Sequence, residues 1–169
     1  MRTQLKINGE LKDVEIDGGE ITIIEPEKKQ TGWERAKKDN EYCYWCGDDR
    51  VDKLEENDLT TENNLYRLAN YFSSEELFKN ISRMQTLQRK MFRWQAKNDK
   101  PINLNDCEQA KYEIYYCHLD GTFGVCETNA STYGFMPYFS SKEKAKECIK
   151  VFKHELIWLF TEFRWRMDG

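Results

Sequence analysis

Two cysteines separated by two residues, Cys43 and Cys46, form the one pattern in this chain that matches a known chemical motif. A zinc or redox site needs both sulfurs to converge from a turn or from the start of a helix. Here the pair lies in an aromatic run typical of a β-strand, where this spacing places the two side chains on opposite faces. Cys46 could still meet Cys117, His118 and Cys126 across two sheets as a metal site. Buried thiols are the favoured interpretation, and we expect no cofactor.

His118 and His154 are the two histidines of the chain, and neither has a serine or cysteine nearby in a nucleophile motif. The sequence contains no glycine-rich loop that would cradle a phosphate. Acidic residues are abundant, but none are paired in a way that indicates general acid–base catalysis. The sequence therefore predicts that the protein is not an enzyme.

Residues 48–62 carry seven acidic and two basic residues, a net charge of −5 (2 − 7). A solvated loop is the simplest interpretation of such a segment. The functional alternative is an acidic hairpin that imitates phosphates and occupies a basic groove of a partner macromolecule. The candidate partner-binding residues are Asp48, Asp49, Asp52, Glu55, Glu56 and Asp58.

Residues 79–100 carry seven basic residues and one acidic residue, a net charge of +6 (7 − 1). Arg89, Lys90, Arg93 and Trp94 combine cations with an aromatic ring, as proteins that bind single strands do. The same composition is typical of any amphipathic helix, and the net charge of the whole chain, −4, argues against a general nucleic-acid binder. Nucleic-acid binding by these four residues is the alternative hypothesis.

Aromatic residues are concentrated near the C-terminus, where a helix is predicted to be apolar on two sides. One side should pack on a sheet, and a second apolar side often contacts a partner or a second copy of the chain. The candidate self-association residues are Ile157, Trp158, Phe163 and Trp165. Packing of these residues in the core is the simpler interpretation, and a homodimer is the alternative.

The elements that must position these residues repeat. Residues 71–76 read YFSSEE, and residues 138–143 read YFSSKE, 67 positions later. In each copy the first serine, Ser73 or Ser140, is predicted to cap a helix, with Glu76 or Glu143 completing a capping box. Each motif ends an aromatic, strand-like run, residues 65–72 and 133–139, and opens an amphipathic helical stretch, about residues 74–97 and 141–166. The pattern predicts a duplicated β-β-β-α unit.

The fold class expected is α+β, with antiparallel sheets covered by two long helices. Helices of about 25 residues span nearly 40 Å, so each is expected to lie across both sheets. Residues 1–30 are predicted to form a small β arm and linker, residues 31–103 the first repeat, and residues 104–169 the second. We expect residues 31–169 to form one compact domain.

With both repeats laid out, the chain resembles a group of small, largely uncharacterised proteins of phages and prophages in Firmicutes. The matching segments are residues 31–35, 42–45, 70–77, 93–96, 98–102, 111–116 and 138–143. The resemblance covers residues 31 to about 152, and Cys43 and Cys46 depart from it, since tyrosine or isoleucine is more usual there. It implies a phage setting and little about mechanism.

The leading expectation is a non-catalytic phage accessory protein that binds and inhibits a host macromolecule, such as an anti-CRISPR protein acting on a defence-system protein or nucleoprotein. The chain has no apolar run near the roughly 20 residues that span a bilayer, and its start lacks the apolar core of a secretory signal. We therefore expect no membrane partner and a cytoplasmic location in the host cell.

Overall fold

The computed structural model describes residues 2–24, 30–46, 51–129 and 136–168, and the chain falls into two units with a boundary after Gln30. The strands of the first unit are β1 (Arg2–Ile7), β2 (Glu10–Asp17) and β3 (Glu20–Ile23). They form an antiparallel sheet in the order β1-β2-β3. Asn8 and Gly9, with φ of 50° and 90°, make the turn after β1, as an Asn-Gly hairpin requires.

The second unit combines two small sheets with three helices. Its elements are β4 (Glu41–Tyr44), β5 (Asp52–Glu55), α1 (Thr60–Arg67), α2 (Glu75–Asn98), β6 (Lys111–Cys117), β7 (Thr122–Thr128) and α3 (Lys142–Thr161). β4 pairs with β5 and β6 pairs with β7, both antiparallel. The predicted α+β class with small antiparallel sheets is confirmed. Across the described residues, every helix is too short or too polar to cross a bilayer.

The third strand predicted for the first repeat, residues 65–72, is wrong. Residues up to Arg67 belong to α1, and Phe72 alone pairs with Cys43 as an isolated bridge. The corresponding strand of the second repeat, residues 133–139, lies partly outside the described residues, and Phe139 forms an isolated bridge with Tyr112. Among the described residues, each sheet of the second unit therefore has two strands, extended by a single bridge from the segment before a long helix.

Helix α1 begins where it does because of Glu62. The carboxylate of Glu62 accepts hydrogen bonds from the N–H groups of Asn57 (3.0 Å) and Leu59 (2.7 Å). A glutamate at the third helical position commonly reaches back in this way and satisfies donors that the helix leaves free. Glu62 is only 4% exposed, so this acid has a structural role.

The serines that cap the long helices stand one residue later than predicted. The hydroxyl of Ser74 accepts the N–H of Leu77 at 3.3 Å, and the hydroxyl of Ser141 accepts the N–H of Lys144 at 3.2 Å. The preceding serines are held elsewhere: the Ser73 N–H donates to the carbonyl of Gly32, and Ser140 bonds to the carboxylate of Asp99. The expected capping boxes with Glu76 and Glu143 are therefore absent.

Helix α2 contributes to both hydrophobic clusters of the second unit. The first cluster consists of Cys43, Phe72, Leu77, Phe78 and Ile81. The second cluster consists of Leu87, Met91, Ile114, Phe139, Ala145, Cys148 and Leu156. The first half of α2 thus packs beside β4, and its second half packs with β6 and α3. Helix α2 thus spans both hydrophobic clusters and lies closest to β4 and α3, whereas α3 is the helix that covers β6 and β7.

Helix α3 is shorter than predicted, since it ends at Thr161 rather than near residue 166. Its backbone departs from helical geometry at Phe152, where φ is −108° and ψ is 20°. After the helix, the chain turns back and the N–H of Met167 donates to the carbonyl of Thr31 at 2.9 Å. Phe163 and Met167 of this tail pack on the first cluster.

Phe72 and Phe139 occupy corresponding places in the two halves of the second unit. Both are buried, both form a single bridge to a strand, and both stand two residues before a capping serine. The halves differ in α1, which has no counterpart among the described residues of the second half. Descent from one duplicated unit stays a prediction.

Candidate functional site

The side chain of Glu56 is at the centre of a buried polar network. Its carboxylate accepts two hydrogen bonds from Arg35, at 3.1 Å and 2.7 Å, one from the hydroxyl of Tyr71 at 2.7 Å and one from the N–H of Asp58 at 2.9 Å. The Arg35 hydrogen bonds are the largest cause that holds the pKa of Glu56 down, at about 2. Glu56 is 2% exposed, so the prediction that it contacts a partner is wrong.

The network around Glu56 has a structural role, and its groups are not arranged as a general acid or a general base. Burial and the hydrogen bond to Glu56 raise the pKa of Tyr71, so the phenol stays protonated. The ring of Tyr71 stacks on Tyr42 with centroids 4.1 Å apart, which fixes it further. A carboxylate with four donors has no capacity left to take a proton from a substrate.

The remaining acidic candidates are not gathered into one acidic face. Asp48 and Asp49 lie outside the described residues. Asp52 is half-buried and accepts a hydrogen bond from the thiol of Cys46 at 2.5 Å. Asp58 is exposed and forms an ion pair with Arg35 at 2.9 Å, and Glu55 is exposed.

Four large apolar side chains next to these acids are exposed to solvent, and we call them the α1 surface. They are Leu54 (46% exposed), Leu59 (58%), Tyr66 (43%) and Leu68 (67%). Leu59 and Leu68 are the residues at the two ends of α1. Sequence reasoning missed this set because residues 65–72 were assigned to a strand; a helical reading of residues 60–67 would have found it.

The α1 surface rests on the tyrosines that surround Glu56. Tyr66 meets Tyr71 edge-on, with centroids 5.5 Å apart. Leu54 is the cross-strand partner of Tyr42, and directly opposed residues share one face of a sheet. Two residues of the α1 surface, Tyr66 and Leu54, therefore lie against the tyrosines of the buried network.

The structure does not bring the metal candidates together. Cys46 follows β4, whereas Cys117 and Cys126 belong to the other sheet and His118 follows β6. The thiol of Cys126 donates to the carboxylate of Glu113 at 3.2 Å. Across the part of the chain that the structure describes, no three histidine, cysteine, aspartate or glutamate side chains form a group that could hold a metal ion.

The basic candidates of α2 divide into two groups. Arg89, Lys90 and Arg93 are exposed, and the Arg89 guanidinium lies 5.4 Å from the ring centroid of Trp45. Trp94 instead packs against the second cluster and meets Phe139 edge-on at 6.2 Å. Trp94 thus packs inward while the three cations are exposed, and nucleic-acid binding by these four residues stays a prediction.

The aromatic candidates near the C-terminus are also divided. Trp158 is 6% exposed, and Phe163 meets it edge-on at 5.7 Å while packing on the first cluster. Ile157 is half-buried. Trp158 and Phe163 thus pack inside the chain, whereas Trp165 is 71% exposed, and self-association stays a prediction.

A groove of about 480 Å³ lies between α2 and α3. Its polar lining residues are Lys79, Ser82, Arg83, Thr86, Lys90, His154 and Glu155, and its apolar lining residues are Val51, Phe78 and Leu87. Sequence reasoning missed Arg83 and His154. A signal was present, because positions 79, 83 and 90 share one face of a helix.

No family model matches this sequence, and no similarity to a curated protein or to a solved structure is detected. The resemblance to phage and prophage proteins therefore stays a prediction.

Proposed function

We propose that the protein is a non-catalytic binding protein that docks on another macromolecule through the α1 surface. The observation that carries the proposal is the exposure of Leu54, Leu59, Tyr66 and Leu68, of which Leu54 and Tyr66 adjoin the tyrosines of the buried network. Exposed apolar patches rimmed by polar residues mark surfaces that bind other proteins, and Leu54 and Leu59 each adjoin an exposed acid in the sequence, Glu55 and Asp58.

Charge indicates what kind of partner would fit. Glu55 and Asp58 are exposed beside the leucines, and the segment that contains them is strongly acidic. A partner with an apolar patch and basic residues at its edge would complement both features. Proteins that bind nucleic acid carry such basic surfaces. Together with the phage-like sequence, this supports inhibition of a bacterial defence system, in the cytoplasm of the host, as the concrete form of the proposal.

The test is a phage plating assay in bacteria that carry one active CRISPR or other defence system. Expression of the protein should restore plating against at least one system in a panel. Leu68→Asp, and separately Leu59→Asp, should abolish the rescue, because a charge in an apolar contact opposes docking. Leu119→Asp is the matched control, since Leu119 is 100% exposed in the turn after β6.

Two results would count against the proposal. The first is a protein that is expressed and folded but restores plating against none of the systems. The second is rescue that survives both Leu59→Asp and Leu68→Asp as well as it survives Leu119→Asp.

A second candidate function, binding of a nucleic-acid strand, is favoured by the exposed cations of α2. None of the described carboxylates forms an ion pair with Arg89, Lys90 or Arg93. The ring of Trp45, which is 40% exposed, lies beside Arg89. Binding should weaken steeply with salt and should be lost when Arg89 and Arg93 are both changed to glutamine. A gel-shift series at low salt that shows no complex would exclude it.

A further inference from the structure

We propose that the groove between α2 and α3 binds a small phosphate ester. Arg83, Lys90 and His154 would hold the phosphate, and the organic part would lie against Phe78 and Leu87. This site is separate from the α1 surface and goes beyond the proposed docking function.

The first argument is that two cations of the groove, Arg83 and Lys90, form no ion pair with a described acid. Lys79 forms an ion pair with Glu75 at 2.6 Å. By contrast, none of the acids that the structure describes forms an ion pair with Arg83 or Lys90. Two positive charges at one groove therefore remain available for an anion, and guanidinium and ammonium groups are the usual donors to phosphate oxygens.

The second argument is that one of these cations is already held in position. The guanidinium carbon of Arg83 lies 4.0 Å from the ring centroid of Trp158, which is itself 6% exposed. A guanidinium stacked on a buried indole has lost much of its freedom before a ligand arrives. The entropy that binding must remove is correspondingly smaller.

The third argument concerns the size and the apolar side of the groove. Its volume of about 480 Å³ is that of a small-molecule site. Phe78 and Leu87 contribute apolar surface, so a bare inorganic anion would leave this part of the groove unused. Glu155 also lines the groove, and its charge would keep the phosphate away while accepting a hydrogen bond from an amino or hydroxyl group. An ester that carries both a phosphate and such a group, as a nucleotide does, would match this lining.

The same phosphate chemistry could arrive in a free ester or in the backbone of a single strand. The experiment is therefore isothermal titration calorimetry, in which the full chain is titrated with three probes: AMP, inorganic phosphate and a short single-stranded DNA. We expect AMP to bind and inorganic phosphate to bind more weakly. Binding of the DNA with the same dependence on Lys90 would also support the phosphate site and would assign its source to a strand.

The variants change exposed side chains, so that the protein should still fold. Lys90 is exposed, and Lys90→Gln should weaken AMP binding by roughly tenfold, the loss of one charge-assisted contact. Lys97→Gln removes the same charge from the same helix outside the groove and should leave affinity unchanged. His154→Gln should weaken AMP binding as well, and circular dichroism checks that each variant is folded.

Three outcomes would overturn the inference. One is the absence of binding by both AMP and the DNA at millimolar concentration. Another is an equal loss of affinity in Lys90→Gln and Lys97→Gln, which would indicate unspecific charge attraction. The third is inorganic phosphate binding as tightly as AMP, which would remove the role of Phe78 and Leu87.

Discussion

The hydroxyl of Tyr71 donates a 2.7 Å hydrogen bond to the carboxylate of Glu56, and a guanidinium from Arg35 holds the same carboxylate from the other side. Arg35 belongs to the loop before β4, Glu56 follows β5, and Tyr71 lies in the segment before α2. The carboxylate thus joins parts of the chain that are distant in sequence. Loss of this carboxylate should therefore lower the stability of the whole second unit.

We expect Glu56→Gln to lower the free energy of unfolding by about 3 kcal/mol. The amide keeps the size of the side chain, but it loses the charge that Arg35 pairs with and presents an NH₂ group to other donors. Urea denaturation followed by circular dichroism measures the change. Glu55→Gln, at the exposed neighbouring position, should change stability by less than about 0.5 kcal/mol.

The same residue makes stability depend on acid. The pKa of Glu56 is lowered from 4.5 to about 2, so its contribution is complete above pH 4.5 and is lost as the pH falls through about 2. The difference in stability between wild type and Glu56→Gln should therefore shrink by roughly 3 kcal/mol at most as pH falls across this window.

Glu34 and Glu75 also have pKa values lowered to about 2, so wild type alone cannot isolate Glu56. Burial acts to raise the pKa of Glu34, but hydrogen bonds from Thr31 and Gly32 outweigh it. Urea denaturation of wild type and Glu56→Gln at several pH values cancels these shared contributions. A difference that stays constant with pH would contradict the assignment.

Gly32 is expected to tolerate no side chain. Its φ is +91°, and a Cβ atom there would lie 2.8 Å from Cδ2 of Leu77 and 3.0 Å from Cβ of Ser74. Gly121 also has a positive φ, +69°, but its nearest neighbour would be the hydroxyl of Tyr116 at 3.6 Å. Gly32→Ala should thus destabilise the protein by about 2 kcal/mol more than Gly121→Ala, because the backbone strain is shared and the clash is not. Equal denaturation midpoints for the two variants would contradict this.

The position of the helix cap can be tested by comparing two adjacent serines. Ser74→Ala should cost about 1 kcal/mol, since its hydroxyl satisfies the N–H of Leu77. Ser73→Ala should cost almost nothing, because the buried hydroxyl of Ser73 finds no hydrogen-bond partner among the described residues. Chemical denaturation of both variants distinguishes the observed cap from the one that the sequence indicated.

The cysteines should differ in reactivity toward a thiol reagent. Burial raises the pKa of Cys148 to about 12 and also raises that of Cys43, whereas Cys46 and Cys107 are exposed. Because the thiolate is the reactive form, Cys148 and Cys43 should be modified only after unfolding. Peptide mapping by mass spectrometry after brief labelling of the native protein would show this, with fully denatured protein as the control.

Elements with a strong local signal could be predicted from the sequence. The stripe of α2 and the Asn8-Gly9 turn depend on spacing and on residue types that act over a few positions. Helix α1 could not be recognised in the same way, because Leu65 and Tyr66 suit a strand equally well. Its start depends on Glu62, which composition alone shows only as one more acid in an acidic segment.

The candidate site was less predictable than the fold. Arg35 and Glu56 are 21 positions apart, and no local pattern indicates that a glutamate in a charged loop will be buried. Trp158 lies in α3 as predicted, whereas Phe163 follows the end of the helix, and the packing of both rings inside the chain depends on the tail that returns to Thr31. Long-range contacts of this kind decide which polar and aromatic residues remain for a partner.

The placement of α2 along both hydrophobic clusters has a consequence for how the second unit comes apart. One helix contributes buried side chains to each cluster, so neither cluster can unfold while the other stays intact. Residues 31–167 should accordingly melt in one all-or-none transition, and slow hydrogen exchange should extend along α2 from Leu77 to Met91 without a weak point between the halves.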